Sequence, residues 1–205
     1  GNHLDNLAAA LDNSPKAAKV EIIRLIGAKA GKTSFDKIIG YTANGDQDIS
    51  NAAYAALKNI SSGKNIPLLL DLLKKAANEG QITALQLALI HASSNLNNSE
   101  RDQFISQLSK MADPGRTLGI FSKLGGREAL KQVADAFGST DQAIRETAFA
   151  ALLKWNSADA ADALYQICST NPNYQVKAFK GFVDLVSHST LPDDQKLLQY
   201  RKVMP

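Results

Sequence analysis

Apolar positions recur along this chain at three- and four-residue spacings in short runs closed by turn residues. No run alternates with the two-residue period of a half-buried strand. Leu4, Leu7, Ala8 and Leu11 form a first stripe that ends at Asp12 and Asn13. Ser14 and Pro15 predict the start of a second helix, with proline at its first position and Val20, Ile22, Ile23 and Ile26 on its buried side. A third helix starts at Ser34, carries Phe35, Ile38 and Ile39, and stops near Asn44 and Gly45, and Asp46 opens a fourth. Ile66 and Pro67 open the next, and Gly80 is expected to separate it from the helix ITALQLALIHA. Ser99 followed by Asp102 predicts a capping box for the helix of Phe104, Ile105, Leu108 and Met111. Asp113 and Pro114 begin another, which Gly125 and Gly126 end, and Arg127 to Phe137 makes its successor. Asp141 and Ser157 are expected to cap two more. The last two run from about Asn173 to Ser187 and from Leu191 onward. About thirteen helices joined by short turns have the spacing of antiparallel helical hairpins.

One segment occurs twice. DQDISNAAYAALKNI at Asp46 to Ile60 returns as DQAIRETAFAALLKW at Asp141 to Trp155, 95 residues later. Three steps of about 32 residues fill that offset, close to the length of one hairpin in a repeat array. Helices this short are marginal alone and expose an apolar stripe, so neighbouring hairpins must stack to bury it. Ala53, Ala56, Ala148 and Ala151 sit where small side chains let helix axes approach, and Leu57, Leu152, Ile60 and Trp155 supply the larger knobs. The expected fold is all-α: a right-handed α-α superhelix of about six helical hairpins, one repeat domain spanning 1–205.

The run Asp141, Ile144, Arg145, Ala148, Ala151 and Leu152 resembles the second helix of a HEAT repeat, with its turn aspartate, apolar residue, basic residue and Ala-x-x-Ala-Leu core. LGGREALKQVADAFGSTDQAIRETAFAALLKW resembles one complete unit, and NYQVKAFKGFVDLV a looser second helix. The copy at Asp46 departs from the pattern at Ser50, where the basic residue belongs, which interrupts any Asp-Arg ladder. The stretch is similar to the HEAT-like segments of large multidomain bacterial proteins, where such arrays accompany a jelly-roll sugar-hydrolase-like domain. That resemblance implies a periplasmic or envelope location. Gly1 reads as the remnant of a cleaved tag, and the terminal run Arg201 to Pro205 lacks a polar capping unit, so a segment excised from a longer protein is expected.

Charge changes this picture little. The formal balance is +3, split as +1 over 1–100 and +2 over 101–205, so neither half is a basic face and nucleic acid is not demanded. The local excess at Lys16, Lys19, Arg24, Lys29, Lys32 and Lys37 falls around the helices rather than along one strip, with no aromatics interleaved for base stacking. No stretch approaches the ~20 apolar residues that span a bilayer. The single cysteine, Cys168, lies among Ala163, Leu164 and Ile167 and is expected to be an inert core thiol.

Candidate chemistry is sparse. Gly27-Ala28-Lys29-Ala30-Gly31-Lys32-Thr33 superficially suggests a phosphate loop, but only three residues separate its glycines and the preceding segment is helical. The expected structure is a helix C-terminus stopped at Gly31, with Lys29 and Lys32 offsetting the dipole. His3, His91 and His188 have neither metal-ligand spacing nor a nucleophile-elbow context, so no cofactor and no metal are expected. The chain therefore reads as a non-catalytic scaffold that binds a protein partner or an adjacent domain on its curved inner surface. Exposed positions between the core knobs of the second helices, Asn51, Lys58, Arg145 and Lys154, are the candidate contacts. Two rival functions fit the same scaffold: a nucleic-acid-binding array, and a HEAT-like enzyme of the DNA-glycosylase or pigment-lyase type. The enzyme would need a pocket in which Asp135, Glu146 and Asp184 converge.

Overall fold

The computed structural model describes residues 2–203. Gly1, read above as a tag remnant, and Met204 and Pro205 of the terminal run lie outside them. The chain divides into two compact units, Gly1–Asn98 and Ser99–Pro205. The described residues contain thirteen α-helices with short 3₁₀ turns between them and no strand, which is the all-α class expected.

The first unit holds α1 (Asn2–Ala10), α2 (Lys16–Ala28), α3 (Phe35–Gly40), α4 (Gln47–Ile60), α5 (Ile66–Lys75) and α6 (Glu79–Ser93). They pack as hairpins α1–α2, α3–α4 and α5–α6, and the second helices form their own row, α2 on α4 and α4 on α6. The core of this row is Ile23, Ile26, Ala53, Ala56, Leu57, Ile60, Leu85 and Leu89, all buried. Small residues set its spacing. A Cβ on Gly27 of α2 would stand 3.0 Å from both Cα and Cβ of Ala56, so the two backbones are already at contact. Asn59 donates from Nδ2 to the Gly27 carbonyl at 3.1 Å and ties the same two helices.

The second unit holds α7 (Asn98–Ser109), α8 (Leu118–Leu124), α9 (Arg127–Phe137), α10 (Gln142–Leu153), α11 (Ala161–Thr170), α12 (Gln175–Ser187) and α13 (Asp193–Arg201). Helices α9–α10 and α11–α12 are the hairpins, the row of second helices is α8, α10 and α12, and α13 packs on α12. Phe137, Phe149 and Tyr174 meet edge-on or tilted, with ring centroids 4.9 to 6.0 Å apart, and join α9, α10 and the start of α12.

The repeated motif folds the same way twice. Asp46 accepts from the backbone N–H groups of Asp48 and Ile49, and Asp141 from those of Ala143 and Ile144, each capping its helix. The Asp46 N–H donates to Asn44 Oδ1 at 2.9 Å, and the Asp141 N–H to Ser139 Oγ at 3.1 Å. The departure of the first copy from the second at Ser50 is compensated locally. Arg145 donates from Nε and Nη2 to the Ser139 carbonyl, while buried Ser50, at the matching position, donates from Oγ to the Thr42 carbonyl at 2.7 Å. Two different side chains thus tie the helix to the turn before it.

The likeness extends upstream of the motif. Ala30 and Gly125, again 95 residues apart, both have positive φ, at 51° and 66°, although Gly125, with ψ −173°, is extended rather than helical. At the first of these, the Gly31 N–H donates to the Ile26 carbonyl and the Ala30 N–H to that of Gly27, which closes α2 in a Schellman turn. The phosphate-loop look-alike is therefore a helix end, with its left-handed residue at Ala30 rather than Gly31.

Several local expectations are corrected. Ser14 does not cap α2, because its hydroxyl donates backwards to the Ala10 carbonyl at 2.8 Å. Gly80 lies inside α6, since Asn78 caps that helix by accepting from the Gln81 N–H. Ser99 falls inside the first turn of α7, not before it. Ser157 donates to Asp159 Oδ2 instead of capping α11. Cys168 is only half-buried, because Ala161, Leu164 and Ile167 take the inward face of α11 and leave it at the edge.

Candidate functional site

Helix α10 ends at Leu153, two residues before the position at which α4 ends. The chain then turns through Lys154 and places Trp155 in the core, 4% exposed, where its indole N–H has no hydrogen-bond partner. Beside this turn runs α12, anchored by Ala178, Phe182 and Val186, which are fully buried. Gly181 lets α12 come close: a Cβ there would lie 2.3 Å from Leu153 Cδ2.

Between the turn and α12 is a cavity of about 450 Å³ lined by Leu153, Trp155, Asn156, Lys180, Asp184 and His188 among others. Lys177, Lys180, Asp184 and His188 line the same cavity from one side of α12, at spacings of three, four and four residues, so its wall is cationic towards the start of the helix and acidic towards the end. Among the described residues neither lysine makes an ion pair, and neither does Asp184. His188 Nδ1 lies 2.8 Å from the Asp184 carbonyl oxygen, which can only accept, so Nδ1 carries a proton, and in the neutral ring Nε2 is the acceptor. Ser187 Oγ donates to the same carbonyl at 2.9 Å and faces a protonated ring nitrogen, so it has no base at His188.

The other charged cluster belongs to the first unit and is paired. Lys16 contacts Asp46 Oδ2 at 2.8 Å and Asp48 Oδ2 at 2.7 Å, Arg24 pairs with Glu21, and Lys37 with Asp12. The Lys16 contact, helped by the capping N–H bonds of Ile49 and Asp48, holds the Asp46 carboxyl below its ordinary range, and the same pairing raises the Lys16 ammonium. Burial, then the hydrogen bond to Asp12, pushes the Tyr41 phenol up to about 12. Three cations of the basic stretch are thus engaged by neighbouring carboxylates.

The positions singled out by sequence are dispersed. Asn51 and Lys58 are exposed on α4, and Lys154 is exposed at the end of α10 beside the cavity. Arg145 is half-buried and engaged with Ser139 and Gln142. Asp135, Glu146 and Asp184 do not converge. Asp135 pairs with Lys131 at 2.7 Å, Glu146 accepts from the Tyr174 hydroxyl at 2.7 Å, and Asp184 lines the cavity. The Glu146 contact, with burial second, raises the Tyr174 phenol. Among the described residues no group of three or more His, Cys, Asp or Glu side chains is placed to hold a metal ion, and no helix is long and apolar enough to cross a membrane. Sequence reasoning passed over Lys177 and Lys180. Their spacing with Asp184 and His188 on one helix was a visible signal, but the turn at Trp155 that completes the cavity was not.

No protein-family model and no curated protein sequence matches the chain. Among solved structures it is similar to the complex of CpcE and CpcF of phycocyanin lyase from Nostoc sp. PCC7120, with 14% identity over 98% of this chain and 82% of that one and a TM-score of 0.44. It is also similar to an engineered protein, with 16% identity over 98% and 95% of the two chains and a TM-score of 0.46. The first of these corrects the expectation of a non-catalytic chain: phycocyanin lyase is an enzyme, and that expectation is withdrawn.

Proposed function

We propose that residues 1–205 form one HEAT-like repeat domain that binds a protein partner, or a neighbouring domain of its own chain, through exposed side chains of its second helices. The observation that carries this reading is the outer face of α12. Val176 is 80% exposed and Phe179 44% exposed, next to Lys177 and Lys180, on a helix whose inner face is fully buried. Covering a large apolar side chain of this kind is worth about 1.5–3 kcal/mol. A packed helix loses little conformational freedom on association. Exposed Lys154 belongs to the same unit as this face, and exposed Asn51 and Lys58 are candidate contacts of the first unit by itself. Arg145 contributes by holding the turn before α10.

The test is photo-crosslinking in source cells, with a photoreactive residue placed in turn at Phe179, Lys154, Asn51 and Lys58. A discrete adduct of one size from Phe179 or Lys154 is the expected result. Absence of any discrete adduct from all four positions rejects the reading.

A further inference from the structure

The cavity beside α12 holds charges that could neutralise one another and do not. Lys180 and Asp184 are four residues apart on a helix, lysine first, as are Lys131 and Asp135 on α9. The α9 pair closes at 2.7 Å, whereas Lys180 and Asp184 make no ion pair. Both line the same cavity, so its wall keeps a cation and an anion available to a third body. With His188 counted neutral, two ammonium groups against one carboxylate leave a charge of +1. That balance matches one carboxylate, whereas a phosphate dianion would leave excess negative charge beside Asp184. The rest of the lining suits a peptide. Asn156 offers an amide with no partner among the described residues, Asp184 and His188 Nε2 can accept from backbone N–H groups, and Leu153 and Leu185 give apolar contact. The volume, about 450 Å³, lies within the roughly 300–1,000 Å³ of ligand clefts.

We propose that this cavity receives an acidic side chain, on an extended segment of the protein partner, between Lys177 and Lys180. The inference rests on the partner-binding reading above and specifies the partner's chemistry. The chain supplies its own reporter, because Trp155 is its one tryptophan and lines the cavity.

The experiment is a tryptophan-fluorescence titration of the full chain with acetyl-Leu-Glu-Leu-amide, its Gln counterpart, sodium acetate and inorganic phosphate. Wild type and the Lys177→Gln/Lys180→Gln double variant are compared, with thermal melts confirming that both are folded. A saturable response to the Glu peptide is expected, about tenfold weaker for the Gln peptide and about tenfold weaker in the double variant. Asp184→Asn is expected to tighten Glu-peptide binding. No saturable response, equal affinity for the Gln peptide, or unchanged affinity in the double variant overturns the proposal. Acetate binding as tightly as the peptide identifies a free carboxylate site, and phosphate binding more tightly identifies a phosphate site, and each overturns the peptide assignment. Crosslinks from Phe179 that persist while the peptide fails to bind overturn this inference alone. Loss of all crosslinks overturns the reading beneath it.

Discussion

The groove beside α4 and the cavity beside α10 are built on the same fifteen-residue motif and differ in what their charges do. In the first unit, a groove of about 540 Å³ between α2 and α4 is lined by Lys16, Glu21, Arg24, Asp48 and Asn51, and its four charged side chains are paired. In the second, Lys177, Lys180 and Asp184 share a cavity and remain apart. The motif is equally well capped in both. What separates them is the surroundings: the groove sets the first turns of α4 against the preceding helix α2, whereas the cavity sets the turn after α10, which stops at Leu153, against the following helix α12 beside Gly181. A repeated motif thus carries different surfaces at its two ends, according to the helix that packs against each.

The comparison can be tested from its largest expected effect to its smallest. Gly27→Val drives a branched side chain into the Ala56 backbone and is expected to destabilise the chain by about 1–3 kcal/mol in urea unfolding. The two positive-φ helix ends should respond in opposite directions. Ala30→Gly relieves a left-handed conformation that costs an L-residue roughly 1–2 kcal/mol and should raise the urea midpoint, while Gly125→Ala puts a Cβ into an extended positive-φ conformation that only glycine adopts readily and should lower it. Equal shifts of the same sign would show that backbone strain at these two positions does not govern their effect on stability. Asp46→Ala and Asp141→Ala each remove an N-cap and should each lower the urea midpoint, by less than Gly27→Val does.

The smallest effect is in pH. The Asp46 carboxyl is held low in the folded chain by Lys16 and by N–H donors. Its contribution to stability is therefore present above the unfolded value near pH 4 and is lost as pH falls through the lower folded value. The urea midpoint of the wild type should fall below about pH 4 more steeply than that of Asp46→Asn, which keeps a capping oxygen but cannot titrate. Identical pH profiles would show that the Lys16 contact contributes nothing.

How much was legible in the residues follows from which interactions are local. The Asp caps, the buried alanines and the boundaries of α9 depend on neighbours within one or two turns, and the sequence pattern places them correctly. Ser50 looked like a gap in the pattern because its partner, the Thr42 carbonyl, is identified only once the turn geometry is known. Cys168 looked buried because its neighbours are apolar, but burial depends on which side of α11 meets α12. The three carboxylates proposed as a convergent set lie on three helices, and nothing in their spacing indicates that two of them are occupied by Lys131 and Tyr174.

By itself, then, the sequence determined an all-α chain of short capped helices that must stack, because helical periodicity, N-caps and apolar stripes act over a few residues and leave no other way to bury the stripe. Only the tertiary structure decided where charges are neutralised and where they are left available. Lys16 meets Asp46 and Asp48 because α2 packs on α4. Lys177, Lys180 and Asp184 line a cavity because Gly181 admits α12 close to Leu153 and the turn at Trp155 leaves room beside it. Contacts between helices depend on backbone separations and on where a helix stops, and those are set by packing across the unit rather than by any one segment.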